Sequence, residues 1–133
     1  MEIKYGLISA DSHAAFERND FTRRMSASKW GDRIPQVVEG EEKGSRVDRW
    51  SVYGVAADNS VCNCPAVMGE PFPTYPKRWD EVPRTAYEPR ERLKALDTDG
   101  VDAEVLFPNP PGGNYFEFGD AEFELAVVRA YND

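Results

Sequence analysis

Imidazole is almost absent from this chain. His13 is the only histidine among 133 residues, so any imidazole chemistry has to happen there. Cysteine is nearly as scarce. Both thiols sit in Cys62-Asn63-Cys64, too close for an easy disulfide and without the second pair that a structural zinc site needs. They are read as two reduced thiols in a loop, as cytosolic thiols generally are. No apolar run approaches the roughly 20 residues that span a bilayer. The start, Met1-Glu2-Ile3-Lys4, lacks both the basic region and the long apolar stretch of a signal peptide. A cytoplasmic protein without membrane contact is the expectation. Positive charge is short too: 16 bases against 24 acids leave a net charge of −8. That argues against a nucleic-acid binder, which needs a basic face to neutralise phosphates.

What the chain does have is an abrupt junction of apolar and polar residues near its start. In Tyr5-Gly6-Leu7-Ile8-Ser9-Ala10-Asp11-Ser12-His13 a short strand-like run ends in a carboxylate and an imidazole two residues apart. Side chains alternate along an extended chain, so Asp11 and His13 point the same way and Ser12 is turned aside. An oxygen and a nitrogen donor on one face suit a divalent metal of borderline hardness. A lone Asp-x-His pair is more often a surface or turn pair, so its context matters.

That context is one small domain's length of ordinary soluble composition, 41% hydrophobic and 30% charged. Phe21 and Met25, four apart with Phe16 before them, predict a short helix over 18–26, capped by Asn19 or Asp20. Residues 37–39 and 47–53 read as strands of a hairpin around a loop at 40–45, with Trp50 and Val52 on one face. Such a hairpin is too small to stand alone and is expected to be decoration or a lid. Five prolines between 54 and 87 exclude regular structure there. Met68, Phe72, Tyr75 and Trp79 are read as pins holding that loop to the surface. Pro89 then opens a helix with Leu93 and Leu96 on one face, and Gly100 closes it. Residues 101–107 form a strand stopped by Pro108, and 110–114 a loop. Asp120 caps a last helix with an apolar stripe of Phe123, Val127, Ala130 and Tyr131. Helix, glycine turn and strand in that order are half of a βαβ unit, which predicts an α/β fold.

Ile8-Ser9-Ala10-Asp11-Ser12-His13 resembles the first-strand signature of the amidohydrolase-related TIM barrels, the family that includes aminocarboxymuconate semialdehyde decarboxylase. Three further stretches are similar in order and spacing. They are Trp30-Gly31-Asp32-Arg33-Ile34-Pro35, Arg92-Leu93-Lys94-Ala95-Leu96-Asp97-Thr98-Asp99-Gly100-Val101-Asp102-Ala103-Glu104-Val105-Leu106-Phe107-Pro108 and Arg129-Ala130-Tyr131-Asn132-Asp133. The run over 97–108 is the most specific.

The resemblance implies that Asp11 and His13 bind a divalent metal, Zn²⁺ first and Mn²⁺ second. It implies that 101–107 is the second barrel strand, with Phe107, Pro108 and Asn109 at its catalytic end; Phe107 and Asn109 are then the expected substrate contacts. Where many relatives carry Glu-Pro soon after the histidine, this chain reads Ala14-Ala15-Phe16-Glu17.

A (β/α)₈ barrel takes about 250 residues. Residues 1–133 are therefore expected to be the amino-terminal fragment of such a barrel, its first two βα units. Residues 14–88 would be a long irregular insertion carrying the hairpin, and 89–133 the helix, second strand and second helix. The implied function is metal-dependent hydrolysis or decarboxylation of a small carboxylate, amide or ester substrate. This chain alone is expected to bind metal weakly and be inactive, its general base lying elsewhere. The other reading is a non-catalytic binding module, stabilised by self-association or by a partner chain that completes the sheet.

Overall fold

Short apolar runs set the frame. Ile8 and the residues after it extend as β1 (Ile8–Ala14), and Ala103 to Pro108 extend as β5 (Ala103–Pro108). The two pair in parallel as a two-stranded sheet. The computed structural model describes residues 3–58, 60–62, 71, 74–109 and 118–133. The helix preceding β5 is α3 (Pro89–Asp99). Pro89 stands at its first turn, the Glu88 side chain caps its start by accepting from the Arg90 N–H, and Gly100 ends it in the left-handed region at φ 73°. The glycine fits there because a Cβ is disfavoured at positive φ. The fold is thus α/β with a parallel sheet, as the order of elements predicts.

The stretch between β1 and α3 is not decoration. It contains α1 (Asp20–Arg24), α2 (Ala27–Trp30), and an antiparallel sheet of β2 (Gln36–Glu42), β3 (Ser45–Val52) and the short β4 (Val55–Ala56). Two 3-10 turns, Trp79–Glu81 and Arg84–Ala86, follow. The buried cluster is built here: Phe16, Phe21, Met25, Trp30, Ile34, Trp50, Val61, Cys62, Val82 and Ala86. The final helix, α4 (Ala121–Asn132), completes it with Phe123, Val127 and Ala130. These three sit on one stripe, as their spacing predicts, and Asp120 caps the helix by accepting from the Phe123 N–H at 3.1 Å. Tyr131, the fourth member of the stripe, is half-buried and meets Phe16 edge-on at 5.0 Å between ring centroids.

Two expectations change in detail. The helix expected over 18–26 is shorter, α1 alone, ending where Met25 turns extended at ψ 143°; α2 follows outside that span. The hairpin loop at 40–45 shrinks to Lys43-Gly44. Gly40, Glu41 and Glu42 continue the ladder opposite Val47, Arg46 and Ser45. Both turn residues have positive φ, 50° and 78°, which matches the right-handed twist of two-residue hairpins. Leu93 and Leu96 do share one side of α3, lining a cleft with Leu106, but that side is open: Leu93 is 63% exposed and no residue of α3 is buried. A sheet of two strands is too narrow to cover a helix.

Trp79 does act as a pin, meeting Trp50 at 6.2 Å and Tyr87 at 5.2 Å. Tyr75 is 40% exposed. Met68, Phe72, Asn63, Cys64 and the loop at 110–114 lie outside the described residues. Among the described residues, no helix is long and apolar enough to cross a membrane.

Candidate functional site

The parallel pair has two unlike faces. Register assigns Ser9 opposite Glu104 and Ser12 opposite Leu106, then His13 opposite Phe107. Between Ser9 and Ser12 the register shifts, and β1 carries one residue more than β5. This is a β-bulge, in which Ala10 and Asp11 together stand opposite Val105. Ser9 and Ser12 therefore share a face although they are three apart, and their hydroxyl oxygens lie 2.8 Å apart. That face looks at α3. Asp11 and His13 are left on the other one, with Ile8, Val105 and Phe107.

Asp11 and His13 meet there, His13 Nε2 lying 3.7 Å from Asp11 Oδ1. The Phe107 ring is tilted 41° to the imidazole, 6.0 Å between centroids. Three of the four residues singled out by the sequence thus gather at the carboxyl end of the two strands. Asn109 does not join them. Its backbone N–H donates to the Ala14 carbonyl at 2.9 Å, tying the strand ends together. The residue lines a crevice of about 10 Å³ with Trp50, Ser60 and Cys62.

A metal about 2.0–2.2 Å from each of two donors in tetrahedral geometry separates them by about 3.4 Å. The 3.7 Å between Asp11 and His13 is near that span, so one carboxylate oxygen and one imidazole nitrogen fit a divalent ion as two of its ligands. Asp11 is 87% exposed and His13 46% exposed by side chain, which leaves both open to incoming ligands. Among the described residues no group of three or more His, Cys, Asp or Glu side chains is placed to hold a metal.

The opposite face carries a network that sequence reasoning passed over. Arg92 from α3 forms a bidentate pair with Glu104 of β5, one arm at 2.9 Å. Ser12 lines the same cleft as Glu104. Arg92 first, then Ser12, holds the Glu104 carboxyl below the usual carboxylate range, against the opposing effect of burial. A cleft of about 350 Å³, lined by Ser9, Ser12, Thr85, Arg92, Asp99 and Glu104, opens beside it. The available sequence signal is Glu104 itself, an acid inside an otherwise apolar strand.

No protein-family model matches this chain, and a search of curated proteins finds none that matches it.

Proposed function

We propose that the chain supplies half of the metal centre of a hydrolase or decarboxylase of the amidohydrolase-related barrel class. The observation that carries this reading is the placement of Asp11 and His13 side by side at the carboxyl end of a parallel strand, next to Phe107 of its neighbour. Active sites of (β/α)₈ barrels lie at that end of the strands. In this reading β1, α3, β5 and α4 are the first two βα units. Residues 15–88 form an elaborated first loop with its own core, and the setting is cytoplasmic.

A bound Zn²⁺ or Mn²⁺ would supply Lewis-acid activation of water or of a substrate carboxylate. Asp11 would contribute a hard oxygen donor and His13 a neutral nitrogen donor. Phe107 would shield the imidazole from solvent and offer an apolar wall to a small substrate. Catalytic zinc generally takes three protein ligands, so this chain alone holds metal weakly and is inactive.

Isothermal titration with Zn²⁺ and with Mn²⁺ tests the reading. Weak binding that disappears in His13→Ala is the expected result. No His13-dependent binding of either ion would sink the proposal, and tight binding would contradict the need for further ligands.

A second reading is favoured by the exposure of Val105, Leu106 and Phe107, at 49%, 43% and 45%. A strand apolar on both faces suits the interior of a parallel sheet, as in a non-catalytic module whose sheet is completed by a partner chain or by self-association. Monodisperse, soluble behaviour without His13-dependent metal binding selects that module over the enzyme.

A further inference from the structure

We propose that Ser12, Glu104 and Arg92 form a positioning relay on the α3 side of the sheet, one that holds the β1 bulge and so aims Asp11 and His13 at the opposite face. Regular alternation would have placed Ser9, Asp11 and His13 together, all facing α3. A shift of one residue sends every later side chain to the other face. The bulge between Ser9 and Ser12 makes that shift, and the groups that hold it are visible. Glu104 is anchored by the Arg92 guanidinium and has a side chain only 8% exposed. Its carboxylate can only accept, and Ser12, which lines the same cleft, is placed to donate to it. Ser12 Oγ is then the acceptor for the Ser9 hydroxyl at 2.8 Å.

The chain of donors runs from Ser9 through Ser12 to Glu104, each step fixing the direction of the next. Slipping β1 back by one residue would pull Ser12 off Glu104 and bring the exposed Asp11 carboxylate to the α3 side, towards Glu104. Two carboxylates on that half-buried face repel, so the relay favours one register and opposes the other. These residues touch neither a metal nor a substrate; they act through the backbone of Asp11.

The purpose of the relay rests on the metal reading above, but its geometry does not, and the experiment separates the two. Because His13 is the only histidine, its ring protons are read by NMR without ambiguity. In the unmodified chain, cross-relaxation peaks join the His13 and Phe107 rings. In Ser12→Ala these peaks are expected to fall by at least half. His13-dependent Zn²⁺ affinity is expected to drop about tenfold, the lower end for removing outer partners of metal ligands. Thermal unfolding followed by tryptophan fluorescence stays unchanged. Ser12→Thr, which keeps the hydroxyl, restores both peaks and affinity, whereas Glu104→Gln behaves as Ser12→Ala. Should Glu104→Gln fail to fold, the Ser12 pair decides.

Unchanged ring peaks in Ser12→Ala overturn the relay. So does a loss that Ser12→Thr fails to restore, because the side chain would then matter only as packing. Ring peaks that respond as expected in a chain that binds no Zn²⁺ support the relay while removing the metal reading.

Discussion

Asp102 shows how much one half-buried side chain can organise. Its carboxylate accepts from the backbone N–H groups of Lys4, Tyr5 and Gly6 at 2.6–3.1 Å, while its own N–H donates to the Leu7 carbonyl. The segment before β1 is thereby strapped to the turn before β5. The Lys4 N–H foremost, then those of Tyr5, Gly6 and Leu7, hold the Asp102 carboxyl below the usual carboxylate range. A carboxyl with a lowered folded pKa stabilises fully above its unfolded value, about 3.9. That contribution is lost as pH falls through the lower folded value. The amide protons of Tyr5 and Gly6 are therefore expected to shift with a midpoint below that of a free aspartate, and Asp102→Ala to speed hydrogen exchange over 4–6.

Asp48 is the buried counterpart. It accepts from the Trp79 N–H at 2.9 Å and from Arg46, with only 1% of its side chain exposed. Asp48→Ala orphans that N–H and is expected to cost about 1–3 kcal/mol in urea unfolding. At this scale, alternation alone made it legible that Asp11 and His13 share a face. Which face it is depends on pairing with a strand more than ninety residues away, and nothing local in β1 encodes that.

At the scale of elements, α4 was legible because its stripe is buried on one side against a waiting cluster and its cap is local. In α3 period and burial are separate properties: Leu93 and Leu96 share a side of the helix, yet no residue of the helix is buried. The hairpin loop is shorter than its composition suggests because glycine and charge mark turns and exposed strand edges alike; Gly40, Glu41 and Glu42 are in the ladder. Its true turn carries a correctable strain. Lys43 sits at φ 50°, where asparagine is better tolerated. Lys43→Asn is expected to stabilise by about 0.5–1 kcal/mol, read as a higher urea midpoint at unchanged slope.

For the whole molecule, the surprise is where the centre of mass of burial lies. The parallel pair, which holds the candidate site, is largely exposed, and the segment joining its strands contains most of the core. Binary patterning revealed the apolar residues of that segment, but prolines and irregular turns hide periodicity, so their convergence was not readable. Arg33 is a junction in this body. Its guanidinium lies over the Tyr53, Phe123 and Trp30 rings at 4.1, 4.8 and 5.2 Å and pairs with Asp120, the cap of α4. Phe123, fully buried beneath it, is the residue whose loss should be felt throughout. Phe123→Ala is expected to cost about 3–5 kcal/mol, a large part of the about 5–15 kcal/mol typical of a domain, and calorimetry would show it.

This distribution also governs how the chain can fold and be watched folding. Pairing Ile8 with Ala103 closes a loop of some ninety residues, an entropically slow event in an open chain. Prior collapse of the intervening segment brings the two strand ends together and shortens the loop that remains. Trp30, Trp50 and Trp79 all belong to that segment, so fluorescence will time its collapse and stay blind to the later zipping of β1 onto β5. The lone imidazole, at the far end of the pair, is the natural clock for that second event.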